Sequence, residues 1–318
     1  MLMSAVVDPS SFDKDYFEDP SYEQNAQIFL RGVLANGLLI VDSDGILKDL
    51  LINNIKSLSL KYGERFVIII AELLKNKRHK IVNLDSFGYK KNVDTILQAY
   101  EIRKNCKADS FIVSIKSFHF FESNNFADPA ITPLSNYIYS DFEKKRRWFF
   151  EELPSIDNLK KTEIEDIIIR IIKYSKWLRF YDKQIGSGDR TSFFRKGIEY
   201  ILSLWEKNGI LIKDCIGEVE IISCVKSSDR IKKIKSDLLV PLKSKFSFHF
   251  TLRLKEDKSD IFHARFLETQ HAIVLFERGF DLFKNDGNSF RRNFLKLENT
   301  AFNHLNECRN LKDIAVEK

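Results

Sequence analysis

Short apolar runs alternate with helical patterns along the first third of the chain. Apolar positions spaced three and four residues apart indicate helices, and compact apolar runs between turn residues indicate buried strands. These patterns predict helices at Tyr22–Ala35, Ile46–Tyr62 and Asn92–Arg103, and strands at Leu38–Val41, Ile81–Leu84 and Ser110–Ile115. Asn36-Gly37 predicts a left-handed end to the first helix, and Phe66–Leu74 fits either a strand or a helix. The order strand, helix, strand is that of an α/β layer.

The second half of the chain shows a similar mixture of elements. Thr162 and Glu165 form a T-x-x-E pattern, which predicts a capping box before the helix at Ile167–Tyr174. The remaining predicted elements are strands at Trp177–Tyr181, Val219–Val225 and Phe246–Leu254, and helices at Phe193–Lys207, Asp229–Leu242 and Ser289–Lys312.

Two further strands, Ile261–Leu267 and Ala272–Phe276, are joined by a polar turn. The first strand alternates, and side chains two residues apart point to the same face of a strand. His263 and Arg265 are therefore expected on one face, as a pair suited to holding phosphate. Gly279 predicts a tight turn after the second strand.

The chain length favours two domains, and the patterns change near residue 117. We predict an α/β domain at 1–116, a connecting segment at 117–161 and a second α/β domain at 162–318. Within the connection, Lys144-Lys145-Arg146-Arg147 precedes Trp148-Phe149-Phe150. Cations beside aromatic rings can bind phosphates and bases. The alternative, which we favour, is an amphipathic helix that docks the two domains.

Composition limits the class of protein only broadly. The 318 residues are 44% hydrophobic and 30% charged, with a net charge of +6, which suits either a polyanionic partner or a soluble surface rich in lysine. The four cysteines form no C-x-x-C pair, which favours reduced thiols and a cytoplasmic protein. The acidic N-terminal stretch is unlike a signal peptide, and the apolar runs are too short to span a membrane. The chain has no GxxxxGK[ST], no GxGxxG after a strand and no HExxH.

Aspartates adjoin predicted strands of the first domain at three positions, Asp42, Asp44 and Asp109. Carboxylates that meet at strand ends can hold Mg²⁺, which prefers oxygen ligands. In the stretches LLIVDSD and ADSFIV the sequence resembles PIN-like nucleases. The alternative, which we favour, is that these aspartates cap helices and turns.

The second domain resembles the phospholipase D superfamily, in the divergent branch that includes the C-terminal domains of MIT-domain proteins. The resemblance covers Thr162–Phe290 and rests on the stretches WLRFYDKQIG, FFRKGIEYILSLW and HARFLETQHAIVLFERGFD. It implies a phospholipase D-like α/β sandwich. The superfamily signature is H-x-K followed after four residues by Asp. His263 matches the histidine, Arg265 stands at the lysine and Gln270 at the aspartate.

The resemblance implies metal-independent phosphodiester chemistry without a cofactor. His263 would attack phosphorus, Arg265 would neutralise the phosphate oxygens, and Asp182 or Glu268 would orient the histidine. The predicted phosphate-binding residues are Lys183, His249 and Arg278. The second histidine of such a site would be His249, or the His263 of another copy in a homodimer.

Two functions follow as expectations. The first is a phosphodiesterase acting as a nuclease. The branch that the second domain resembles also includes bacterial proteins, and this resemblance implies a role in prokaryotic antiviral defence. The second is a non-catalytic module that binds nucleic acid or another phosphate and recruits a protein partner. The lost aspartate and the Lys-to-Arg change favour the second. A membrane partner is not expected.

Overall fold

Five short strands of the first half of the chain form one parallel sheet. The computed structural model describes residues 2–42, 45–58, 60–75, 79–82, 94–126, 128–151, 155–187, 191–213, 215–225, 229–257, 262, 265–298 and 301–318. The chain divides into two compact units, Met1–Glu152 and Leu153–Lys318. Each unit is mixed α/β and contains one sheet.

The first unit alternates strands and helices. Its elements are β1 (Met3–Val7), α1 (Pro20–Asn36), β2 (Gly37–Asp42), α2 (Ile46–Ser57), α3 (Leu60–Lys75), β3 (His79–Val82), α4 (Thr95–Cys106), β4 (Ser110–Val113), α5 (Ile115–Ser123), β5 (Ile131–Pro133) and α6 (Asp141–Glu151), with 3₁₀ turns at Pro9–Phe12, Lys14–Glu18 and Leu134–Tyr139. The strand order is β3-β2-β1-β4-β5. Every residue of β1, β2 and β4 is buried, as expected of parallel strands covered on both faces.

Two local predictions in this unit are wrong. The helix predicted at Ile46–Tyr62 is two helices, because Leu58 takes an extended backbone. For Phe66–Leu74 the helical alternative is confirmed, since these residues lie within α3. Gly37 is extended, with φ −102°, and begins β2 directly. A Cβ at Gly37 would lie 2.4 Å from Val33 Cα, so this position needs glycine for close packing instead of a left-handed turn.

The prediction that residues 117–161 connect the two domains is also wrong. Most of it belongs to the first unit, since Ile131–Pro133 pairs with β4 as the fifth strand of the sheet. Arg146 of α6 is buried, and it donates to Glu143 and to Asn36 Oδ1 within the same unit. This arginine of the basic run is therefore part of the structure of the first unit.

The second unit holds a mixed sheet of seven strands. Its elements are α7 (Lys161–Ile172), β6 (Trp177–Asp182), α8 (Lys183–Ser187), α9 (Thr191–Asn208), β7 (Glu218–Cys224), α10 (Asp229–Ile234), α11 (Val240–Lys245), β8 (His249–Lys255), β9 (Arg265–Glu268), β10 (Ile273–Phe276), β11 (Leu295–Leu297), α12 (Phe302–Asn310) and β12 (Asp313–Glu317), with a π-helical turn at Lys235–Leu239 and 3₁₀ turns at Ile156–Asn158 and Leu211–Lys213. The strand order is β11-β10-β9-β6-β7-β8-β12. Strands β6, β7 and β8 run parallel, and the other neighbouring strands pair antiparallel.

The predicted helical tail at Ser289–Lys312 is wrong in its first part, because residues 295–297 form a strand that pairs with β10. Its second part is confirmed by α12, after which β12 pairs with β8. The capping contact before α7 also differs from the prediction. Glu163, not Glu165, accepts a hydrogen bond from the backbone of Lys160 at 2.7 Å.

Candidate functional site

Of the predicted pair His263 and Arg265, the structure describes only Arg265. His263 lies outside the described residues, and β9 begins at Arg265. Arg265 is opposite Asp182 in the register of β9 and β6. Its Nη1 donates to the carbonyl of Glu277 at 2.6 Å. This contact ties β9 to the turn at residues 277–280.

Asp182 is fully buried at the end of β6. Its Oδ1 accepts from the backbone of Gln184 at 2.9 Å, and its Oδ2 accepts from the backbone of Phe280 at 3.1 Å. Burial raises the pKa of Asp182 to about 7, while these hydrogen bonds and Arg265 act in the opposite direction. The carboxyl group anchors the turn at 277–280 to the sheet, which is a structural task.

Gly279 confirms the predicted tight turn, with φ 71°. Its amide donates to the carbonyl of Phe276 at 2.8 Å. A Cβ at this position would lie 2.0 Å from Asp182 Oδ2. Glycine is required here for the positive φ and for the approach to the carboxyl group.

Glu268, which was predicted to orient His263, makes contacts of its own in the structure. Side chains alternate along β9, so Glu268 lies on the opposite face of the sheet from Arg265. Its Oε2 accepts a hydrogen bond from Tyr181 Oη at 2.8 Å. Arg179 Nη1 lies 3.6 Å away and Arg309 Nη1 lies 3.4 Å away. Glu268 is thus committed to contacts on the other face.

Among the three predicted phosphate-binding residues, His249 lies apart from Lys183 and Arg278. His249 is the first residue of β8, at the amino ends of the parallel strands, whereas Arg265 pairs with the carboxyl end of β6. The structure therefore does not bring His249 and Arg265 together. Lys183 Nζ lies 3.9 Å from Asp257 Oδ2, and Arg278 is exposed in the turn at 277–280. The structure brings Asp182, Arg265 and this turn together.

Asp42 and Asp109 of the first unit do not form the carboxylate cluster that was the less favoured alternative. Asp42 ends β2 at the carboxyl edge of the parallel sheet, whereas Asp109 precedes β4 at the amino edge. Asp42 Oδ1 accepts from the backbone of Leu47 in α2, and burial raises the pKa of Asp42. Asp109 Oδ2 accepts from the amide and hydroxyl of Ser4, each at 2.7 Å. Asp44 lies outside the described residues.

A groove of about 410 Å³ lies at the carboxyl edge of the parallel sheet, beside β1 and β4. Chain connections reverse direction between these two strands, and open α/β sheets bind ligands at that point. The groove is lined by Asp8, Asp13, Asp94 and Lys116, among others. Our sequence reading missed Asp8, although it directly follows the apolar run SAVV and precedes proline.

The polar groups of this groove are bonded to one another. Asp8 accepts hydrogen bonds from the hydroxyls of Ser10 at 2.5 Å and Ser117 at 2.6 Å. Burial and the neighbouring Asp8 and Asp15 raise the pKa of Asp13. Among the residues that the structure describes, no three His, Cys, Asp or Glu side chains are placed to hold a metal ion.

The sheet of the second unit has one face packed and one face partly open. Side chains alternate along β6, β7 and β8, and one set is buried: Leu178, Phe180, Val219, Ile221, Phe250, Leu252 and Leu254. This packed face meets α9, since Phe180 contacts Phe280 with ring centroids 5.0 Å apart and Gly197 of α9 packs on the Phe280 carbonyl.

Among the residues that the structure describes, α12 and Phe262 cover the second face toward the carboxyl ends of the parallel strands. There Tyr181, Ile222 and Cys224 pack with Phe262 and with Leu305 and Cys308 of α12. Toward the amino ends the same face carries polar and half-buried side chains, Trp177, Arg179, Glu218, Glu220, His249, Thr251 and Arg253. We call this region the open half-face. A groove of about 820 Å³ lies over it, lined also by Lys243 and Lys318.

Ion pairs cross the open half-face from strand to strand. Arg179 Nε lies 2.8 Å from Glu220 Oε2, and Arg253 Nε contacts the other oxygen of Glu220 at 2.5 Å. Arg253 Nη1 also lies 3.1 Å from Asp313 Oδ2, and Arg179 reaches Glu268. We call this series the ion-pair ladder. It fixes both arginines on the sheet surface in defined positions.

The open half-face was missed in the sequence, although its signal was present. EVEIISC alternates polar with apolar residues in its first half, HFTLRLK does so throughout, and WLRFYD places Arg179 two residues after Trp177. Such alternation indicates a strand with one wet face. These stretches were predicted as strands, but the side chains that share one polar face were not identified.

Comparison with family models, with curated proteins and with solved structures finds no match for this chain. None of the helices that the structure describes is both long enough and apolar enough to cross a membrane.

Proposed function

We propose that the second unit binds nucleic acid at the open half-face and does not cleave it. The observation that carries this proposal is a groove over a sheet surface that holds a tryptophan, a histidine and several cations. Exposed β-sheet surfaces with rings and cations are a recurrent platform for nucleic acids. The phospholipase D-like character proposed for the second unit is separate from this surface, because Arg265 of the signature pairs with the carboxyl end of β6, whereas the open half-face lies at the amino ends of the parallel strands.

The distribution of charge supports a polyanionic partner for the second unit. Residues 153–318 contain 31 Lys and Arg against 24 Asp and Glu, whereas residues 1–152 contain 20 against 21. The net positive charge of the chain thus resides in the unit that carries the open half-face. Nucleic-acid binding depends on such an excess of cations.

The carboxylates of the groove reduce this attraction but do not cancel it. Glu220 is shared by Arg179 and Arg253 in the ion-pair ladder. Glu218 is the other carboxylate among the residues that line the groove, beside the exposed Lys243 and Lys318. The two lysines are the cations best placed to meet phosphates.

Absence of cleavage is supported by where the predicted catalytic groups lie. His249 is at the other end of the strands from Arg265, and Glu268 is on the other face. The guanidinium of Arg265 is bound to a backbone carbonyl. A two-histidine site within one copy of the chain gains no support from these positions.

The test is the binding of a labelled oligonucleotide, followed by fluorescence anisotropy in EDTA. The variant Lys243→Ala/Lys318→Ala should weaken binding about tenfold, because two phosphate contacts are lost. The control Lys207→Ala/Lys232→Ala removes two exposed lysines from α9 and α10 and should change affinity less than threefold. Equal losses in both variants, or no binding by the wild type, would overturn the proposal.

The same samples test for cleavage by gel electrophoresis. We expect intact substrate in EDTA and in Mg²⁺. Cleavage in EDTA that disappears in His263→Ala would establish the phosphodiesterase instead. Cleavage that needs Mg²⁺ and is lost in Asp42→Ala would move the active site to the first unit.

A further inference from the structure

We infer that the open half-face takes a single strand, with unpaired bases stacked on its rings, rather than a duplex. This inference rests on the proposed function and names the form of nucleic acid that the surface would bind. Three observations support it: the positions of the rings, the contacts that hold the tryptophan ring in place, and the width of the groove.

Two rings lie in one row of the open half-face. Trp177 pairs in register with Glu218, and Glu218 pairs with His249. The rings are therefore on the same face, two strands apart, at about 10 Å from strand spacing. That separation suits bases of nearby nucleotides in an extended strand.

The tryptophan ring is held in place before any ligand arrives. The guanidinium of Arg179 stacks on it, with Cζ 4.3 Å from the ring centroid, and Glu220 holds Arg179 from the other side. Trp177 still lines the groove. A ring that is already ordered loses little conformational entropy when a base stacks on it, so it makes an efficient platform.

The groove is wide enough for a few nucleotides. Its floor crosses β6, β7 and β8 and reaches Lys318 beyond β12, which spans three strand spacings or about 14 Å. An extended strand places roughly two or three nucleotides over that distance, as on other sheet platforms. In a duplex the bases are paired and stacked inside, so only its phosphates would reach the surface.

The experiment compares one labelled 12-mer as a single strand and as a duplex, using the full chain in EDTA. We expect the single strand to bind at least about tenfold more tightly, since stacking on an aromatic ring is worth a factor of this order per base. Trp177→Leu should remove most of that advantage and leave duplex binding unchanged. Trp177→Phe, which keeps a ring, should stay within about threefold of the wild type.

A second tryptophan supplies the matched control. Trp148 lies half-buried on α6 in the first unit, and Trp148→Leu should leave both affinities unchanged. In a series of oligonucleotides of increasing length, the steep gain in affinity should end near three nucleotides.

The outcomes separate this inference from the proposed function. Equal affinity for single strand and duplex, weakened by Lys243→Ala/Lys318→Ala but unaffected by Trp177→Leu, would overturn the single-strand inference alone. Failure of the wild type to bind either form would overturn both. A loss in Trp177→Phe as large as in Trp177→Leu would also contradict stacking, because a ring is retained.

Discussion

Single residues in this chain are fixed by contacts that their local sequence does not reveal. Asp182 was predicted as a group that orients a histidine, and the structure gives it two backbone hydrogen bonds in a fully buried position. Gly37 was predicted as a left-handed helix end and serves as a close contact instead. Gly279 was predicted correctly, since a glycine after an apolar strand signals a turn whatever the packing.

Asp182 should make the stability of the second unit depend on pH. Its pKa of about 7 lies above its ordinary value of 3.8, so between these values the folded protein holds a proton that the unfolded chain has released. The contribution of this group to the free energy of unfolding therefore falls as pH rises from about 4 to about 7, by on the order of 4 kcal/mol. It is constant outside that window.

Asp182→Asn removes this titration. The wild-type free energy of unfolding minus that of the variant, from urea titrations, should be larger at pH 4 than at pH 8. Asparagine cannot accept at both positions, so the variant also loses one buried hydrogen bond, worth about 1–3 kcal/mol at all pH values. A difference between the two proteins that does not change with pH would contradict the burial of an ionisable group here.

Gly279→Ala should destabilise the second unit by several kcal/mol, on the order of 3 or more, because a Cβ collides with Asp182 and the backbone has positive φ. Gly287→Ala is the matched control. Its φ is 72°, yet its Cβ would meet only Lys196 Nζ at 3.7 Å, so it should cost about 1–2 kcal/mol. Thermal unfolding of both variants measures this, and equal costs would mean that contact with Asp182 contributes nothing.

At the scale of the elements, the longer amphipathic segments were predictable and the short paired strands were not. The strands at 177–182 and 218–224 and the helix at 191–208 were each predicted within two residues, because alternation and helical spacing persist over several turns or pairs. Strands β5, β11 and β12 are stabilised by pairing with neighbouring strands, and their own sequences do not indicate this pairing. Leu295–Leu297 has three residues, too few to show any period.

The open half-face is likewise a property of several elements together. Its residues come from three strands that are far apart in sequence, and its border is set by α12, which packs on only one half of the sheet. Sequence alternation shows that each strand has a polar face. Only the register shows that these faces coincide and that Glu220 lies between two arginines.

The ion-pair ladder leads to a prediction about binding. Glu220→Gln removes the negative charge that Arg179 and Arg253 share, which leaves both guanidinium groups more attractive to phosphate. We expect the variant to bind a single strand about three- to tenfold more tightly at low salt. Screening should reduce the gain at high salt.

Glu206→Gln is the matched control, since Glu206 is exposed on α9, the helix against the packed face. It changes the net charge of the chain by the same amount and should alter affinity far less. Anisotropy titrations at two salt concentrations distinguish these outcomes. An unchanged or weaker affinity in Glu220→Gln would show that the ladder arginines take no part in binding.

For the whole molecule, the order of predicted elements was enough to predict the α/β class. It was not enough to predict the boundary between the two units. Residues 117–151 show weak periodicity, and the strand at 131–133 has three residues, so the segment looked like a connection. Its pairing with β4 and the burial of Arg146 place it in the first unit. The net charge of the whole chain does not show where the cations lie. Once the chain is divided, the excess of Lys and Arg over Asp and Glu is found in residues 153–318.

We propose that phosphates are held over the open half-face of the second unit. The salt dependence of single-strand affinity, measured in the wild type and in Lys243→Ala/Lys318→Ala, tests this. Each lost phosphate contact should reduce the slope of log K against log salt by about 0.7, so the double variant should lose about 1.4. The Lys207→Ala/Lys232→Ala control should keep the wild-type slope. If the two double variants show the same slope, the phosphates lie elsewhere and the account is wrong.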